Sequence, residues 1–139
     1  MEWKYVLAAI LVAVFVSIVA FGNITVDPTT GLIVTAGGSP EVRVEIDNGR
    51  DVSSANVALN AGESAFDALK RVAVVDYEMY ATGIIISGIN GVKADGEHYW
   101  ICLVNGELPE NGCDFYNPKD GDVISYRYLT AGEVSEYFT

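Results

Sequence analysis

His98-Tyr99-Trp100-Ile101-Cys102-Leu103-Val104-Asn105-Gly106, continued by Gly112-Cys113-Asp114-Phe115-Tyr116-Asn117-Pro118 and Asp120-Gly121-Asp122-Val123-Ile124-Ser125-Tyr126-Arg127-Tyr128, is the stretch that decides how this chain folds. Its two runs of apolar, β-branched and aromatic residues adjoin Asn-Gly and Asp-Gly turn signals, which together read as strand, reversal, strand. The stretch also holds both cysteines, the only histidine and one of the two tryptophans. The rest of the chain supports this unit or delivers it.

Working back toward the N-terminus, Val42, Val44 and Ile46 alternate with Arg43, Glu45 and Asp47. That is the period of a half-buried strand, and Asn48-Gly49 ends it in a hairpin-type turn. A second strand is expected over residues 55–59, closed by Asn60-Ala61-Gly62. Ser64 followed by Asp67 predicts a capped helix start, and Phe66, Leu69, Val72 and Ala73 place one apolar stripe toward a sheet while Asp67, Lys70 and Arg71 face water. Beyond the helix, Val75, Tyr77 and Met79 alternate with Asp76, Glu78 and Tyr80. Gly83 then opens Ile84-Ile85-Ile86-Ser87-Gly88-Ile89, which Asn90-Gly91 ends. Strands, one helix and further strands predict an α+β domain, a β-grasp-like mixed sheet with one packed helix.

The N-terminal side is different in kind. Residues 5–22 are almost purely apolar, with Lys4 before them and no further positive charge until Arg43. At about 1.5 Å per residue the run reaches roughly 27 Å, the short end of what spans a ~30 Å hydrocarbon core. We read 1–22 as an N-terminal hydrophobic helix, a membrane anchor or signal peptide, and favour the uncleaved anchor because the run exceeds the usual apolar length of a signal. The charge asymmetry orients the chain as a single-pass protein of the cell membrane with its C-terminal domain outside, or as a secreted one if the segment is removed at Ala20-Phe21-Gly22. Residues 23–40 form a linker with at most a weak hairpin around Leu32-Ile33-Val34-Thr35, and Asn23-Ile24-Thr25 makes Asn23 a glycosylation acceptor beside the bilayer. The domain is expected over 41–129. The tail 130–139 is too short to count on for a helix, although Thr130 could cap one turn.

Several chemistries lack their residues. The formal net charge is −11 and no block of Lys or Arg occurs, so nucleic acid is an unsuitable partner. His98 is the only histidine, no Gly-x-Ser-x-Gly is present, and no phosphate-cradling or dinucleotide fingerprint is found, which together argue against an enzyme and leave no catalytic residue to name. Asp120-Gly121-Asp122, with Asp114 and Asn117 near it, is a tight turn before a strand more readily than a calcium loop, because the spacing fails the EF-hand pattern. Two thiols with one distant histidine fall short of a zinc set, so no metal ligand or cofactor is assigned. Outside the cytoplasm, Cys102 and Cys113 read as a disulfide across the Asn105-Gly106 reversal, with two buried free cysteines as the alternative.

The aromatic content of the opening stretch remains: Tyr99, Trp100, Phe115, Tyr116, Tyr126 and Tyr128. Some of these rings must pack the core, and others could form an apolar platform with the loop between Asn105 and Asn117. Gly62-Glu63-Ser64-Ala65-Phe66-Asp67-Ala68-Leu69-Lys70, Gly83 to Gly91, Tyr99-Trp100 with Val104-Asn105-Gly106, and Gly112 to Pro118 with Asp120-Gly121-Asp122 give the chain its resemblance. In that order and spacing it resembles the transcobalamin-like C-terminal domain family, the small β-domain of the vitamin B12 carriers that also occurs alone in exported prokaryotic proteins. The resemblance implies a β-grasp-like fold and puts a ligand surface on Tyr99, Trp100 and Leu103 of the strand and Gly112 and Tyr116 of the loop. Those carriers hold cobalamin between this domain and a helical barrel, for which this chain has no residues, so a corrinoid would need a partner to cover its other face. Two expectations follow: a membrane-tethered, non-enzymatic binding module for a corrinoid or similar large ligand, or a structural or adhesive surface domain contacting envelope proteins.

Overall fold

Alternating Val42, Val44 and Ile46 become the buried face of β3 (Glu41–Asp47), each of them at most 8% exposed. A loop over 48–51 turns the chain back into β4 (Val52–Ala58). Here the Asn48 side-chain carbonyl accepts from the N–H groups of Arg50 and Asp51, while Gly49 takes φ +83°, where an L side chain would be strained. β4 begins three residues earlier than its apolar pattern suggests. Val52, Ser53 and Ser54 sit on an edge strand whose exposed side chains carry no alternation to read, and the backbone ladder to Asp47, Ile46 and Glu45 defines them instead.

The computed structural model describes residues 24–26, 33–35 and 38–139, so the hydrophobic N-terminal segment and Asn23 lie outside the described residues. Two units divide after Gly38. In the first, β1 (Ile24–Val26) pairs antiparallel with β2 (Ile33–Thr35), the short hairpin of the linker. Among the described residues no helix is long and apolar enough to cross a membrane.

The second unit carries α1 (Ala65–Val72), and its N-terminus leaves few unpaired donors. Ser64 and Asp67 form a reciprocal capping box. The next free N–H groups, of Ala65 and Phe66, donate to the carbonyls of Tyr116 and Cys113 at 2.9 and 3.1 Å. The helix therefore docks end-on against the cysteine-bearing loop. Its buried face, Ala65, Phe66, Ala68 and Leu69, covers the sheet, with Val72 and Ala73 packed at the margin.

β5 (Val75–Tyr80), β6 (Gly83–Ile89) and β7 (Val92–Lys93) form a small antiparallel sheet in that order. β8 (His98–Val104) and β9 (Val123–Thr130) complete a larger sheet of order β4-β3-β9-β8. Its central pair, β3 and β9, is parallel, whereas β3–β4 and β8–β9 are antiparallel. An α+β mixed sheet with its first and last strands side by side at the centre and a helix packed across one face is β-grasp-like. β5–β7 is an additional sheet inserted between the helix and the third strand. The core lies between α1 and the larger sheet, where Leu59, Ile89, Ile124 and Tyr126 are fully enclosed. α2 (Ala131–Glu136) caps the chain: Thr130 and Glu133 form a second capping box, so the tail holds a real, if short, helix that packs on β8 and β9.

Asp120-Gly121-Asp122 is the turn that starts the parallel pair. Asp120 accepts from the Glu41 N–H, Gly121 donates to the Glu41 carbonyl, and the Asp122 carbonyl accepts from Arg43. The Asp120 side chain and the Asp122 backbone carbonyl thus hold β3 beside the start of β9.

Candidate ligand-binding groove

β8 is an edge of the larger sheet, with β9 on one side and, on the other, β6 approaching without a hydrogen-bond ladder. A groove of about 370 Å³ opens between them. Ile84, Ile85 and Ile86 of β6 form one wall, Trp100 and Cys102 of β8 the floor, and Leu108, Pro109, Gly112 and Cys113 the other wall, with Ile101, Asp114 and Phe138 completing the lining. The size falls at the low end for small-molecule sites, and the groove is open, so it grips one face of a large ligand rather than enclosing it.

Three local interactions shape this groove. Trp100 is 7% exposed, and its indole N–H donates to the Val92 carbonyl at 2.8 Å, which fixes the ring between β7 and the core. Cys102 is joined to Cys113, with Cα atoms 6.3 Å apart, so the outer wall is covalently fastened to the floor. The same wall is held from behind by the Cys113 carbonyl, which accepts from Phe66 at the start of α1. Gly112 takes φ +86°, and a Cβ there would meet Asp114 Oδ1 at 3.0 Å. Glycine thus allows the wall to turn in close to a carboxylate.

A buried carboxylate organises the chain around this wall. Asp122 is 8% exposed and accepts from the Lys119 N–H (2.9 Å), the Tyr116 hydroxyl (2.8 Å) and the Asn105 amide (2.9 Å). Burial works against its charge, but these three donors together hold the carboxyl below its ordinary range. The shared proton keeps the Tyr116 hydroxyl above its own ordinary value. Asn105, at φ +51°, ties the turn to β9 by accepting from the Val123 N–H.

Of the residues expected to meet a ligand, the groove brings together Trp100 and Gly112. Leu103 is buried, 2% exposed, on the opposite face of β8, because an odd separation from Trp100 sends it to the other side of a strand. Tyr99 shares that opposite face, is 42% exposed and donates its hydroxyl to the Gly96 carbonyl. Tyr116 is half-buried and directed to Asp122. The β6 isoleucines and Phe138 had no signal as site residues: a β-branched run reads as core, and Phe138 comes from the tail. Among the described residues no group of three or more His, Cys, Asp or Glu side chains gathers to hold a metal ion.

The family model described as Domain of unknown function (DUF4430) matches residues 62–130, from just before α1 to the end of β9. A search of curated protein sequences finds no relative. Among solved structures, haptocorrin in complex with Cbi superposes with a TM-score of 0.62 at 18% identity, over 73% of this chain and 27% of that one. The fold is transcobalamin-like. A candidate metal-binding protein from Ruminococcus gnavus ATCC 29149 superposes with a TM-score of 0.59 at 17% identity, over 66% of this chain and 98% of that one. The chain thus corresponds to about a quarter of haptocorrin and to nearly all of the bacterial protein. At these identities the likeness concerns the fold.

Proposed function

We propose that this domain is a non-enzymatic binding module that takes one face of a large, largely apolar ligand, with a corrinoid as the leading candidate, in the groove between β6 and β8. The observation that carries this reading is the groove itself: an apolar channel floored by a fixed tryptophan, walled by a disulfide-fastened loop, and left with Ile85 60% and Phe138 73% exposed. Large side chains kept in water beside a preformed recess mark a contact surface. Haptocorrin's complex with Cbi on the same fold supports the corrinoid version.

A ligand wider than the groove leaves its far side uncovered, so an envelope protein partner supplies the second face and much of the affinity. The apolar segment of residues 5–22 supports tethering to the cell membrane with the domain outside, and the Cys102–Cys113 bridge supports an oxidising compartment.

Trp100 is a poor probe of this function because its truncation empties the core. Ile85 is a better one, being exposed and outside the core cluster that Ile84 and Ile86 pack against. Titrating the full chain with a corrinoid while following the ligand's absorption spectrum tests the proposal. A saturable change that weakens about 10-fold or more in Ile85→Gln, at unchanged stability, supports it. No spectral change up to millimolar corrinoid overturns that ligand.

A further inference from the structure

Beyond Ile84 and Asp114, on the side facing α1, a second recess of about 300 Å³ is lined by the rings of Phe66, Tyr77, Tyr80 and Phe115 and by the carboxylates of Asp67 and Asp114. We propose that this recess binds a small organic cation, an alkylammonium group of quaternary or primary type.

The recess already treats a cation in this way. Lys70 Nζ stands 4.8 Å from the centroid of the Phe66 ring and 2.9 Å from Asp67 Oδ1, a cation held between an aromatic face and a carboxylate. The opposite side repeats those two components without the cation. Phe115 and Tyr80 stay 60% and 49% exposed, and Asp114 takes part in no ion pair among the described residues. Ring faces carry the negative end of the aromatic quadrupole, so aromatic side chains around an acidic group attract an organic cation more strongly than either element alone.

Gly83 keeps this side open. A Cβ at that position would lie 3.1 Å from Asp114 Oδ2 and 3.6 Å from the Phe115 ring, and the backbone there takes φ +134°. The edge pair of Phe66 and Tyr77, with centroids 4.9 Å apart, fixes the inner wall. A divalent metal is a poor match, because calcium requires six to eight oxygen ligands and most of this lining is hydrocarbon. The net charge of −11 enriches cations of any kind near the surface, and the aromatic lining selects the organic ones.

The test uses the full chain in a detergent free of cationic headgroups, with NMR detection of the Met79 methyl and the Tyr80 and Phe115 ring signals. Choline and butylammonium are titrated against 3,3-dimethylbutan-1-ol, which has the shape of choline without its charge. Expected are saturable shifts at those residues with the cations and none with the neutral isostere. Phe115→Leu, at an exposed position that leaves the core intact, weakens binding roughly 2- to 5-fold, and Lys70→Met, which removes the resident ammonium, tightens it by a similar factor. Equal shifts from the alcohol, no saturable response to either cation, or loss of binding in Lys70→Met overturns the proposal.

Discussion

Asp122 shows how one residue sets the behaviour of a turn. Replacing it by Asn removes the charge that three donors converge on and turns an amide N–H toward groups that also donate. We expect Asp122→Asn to cost about 2–3 kcal/mol, read as a lower urea midpoint. The same carboxylate predicts an acid limb. Its folded value lies below the unfolded one, so around pH 4 the unfolded chain binds more protons than the folded. Its contribution is therefore complete above the ordinary carboxyl range near pH 4 and is lost as pH falls through the depressed folded value. Asp67 acts in the same direction, held down chiefly by the Ser64 N–H. Urea midpoints measured between pH 7 and pH 2.5 should fall in that window, and Asp122→Asn should flatten the fall. At this scale the sequence was only partly legible. Asp120-Gly121-Asp122 announced a turn, but the buried role of its second acid depends on Asn105 and Tyr116, which no local pattern links to it. Trp100 and Leu103 could have been assigned to opposite faces from their spacing alone.

Among the elements, α1 and the disulfide are the two that fasten the groove wall. Ser64→Ala removes one half of the capping box and should cost about 1 kcal/mol by thermal or urea unfolding. Reducing Cys102–Cys113 opens a short loop and should cost about 2–3 kcal/mol, measured by comparing urea midpoints with and without reductant. On the proposed function it should also weaken the ligand, since the wall is then held only by hydrogen bonds. Most elements were readable because their local signals agreed: period two in β3 and β5, a cap and stripe in α1, and Asn-Gly after β3, β6 and β8. Edge strand β4 was misread at its start because exposed Val52, Ser53 and Ser54 have no face to bury. α2 was underestimated because a six-residue helix owes its stability to Thr130, Glu133 and docking on the sheet, and docking is invisible in sequence.

For the whole molecule, the parallel β3–β9 pair is the feature from which stability spreads. Arg43 pairs with Val123 and Asp47 with Arg127, so the centre of the sheet joins the two ends of the domain. Amide exchange should be slowest in β3 and β9 and faster in β5–β7, where five of the six β5 residues are exposed. Periodicity could not supply this topology, since alternation states which residues are buried and not which strand lies beside which. The strand order also has a consequence in time. A chain leaving the ribosome presents β3, β4, α1 and the small sheet long before β9 exists, and β9 is the neighbour of both β3 and β8. Val42, Val44 and Ile46 therefore wait on a hairpin whose inner edge is open, and the domain cannot close until its last strand has been synthesised. On the proposed location outside the membrane that delay is useful, because an unclosed sheet can still be threaded across a bilayer.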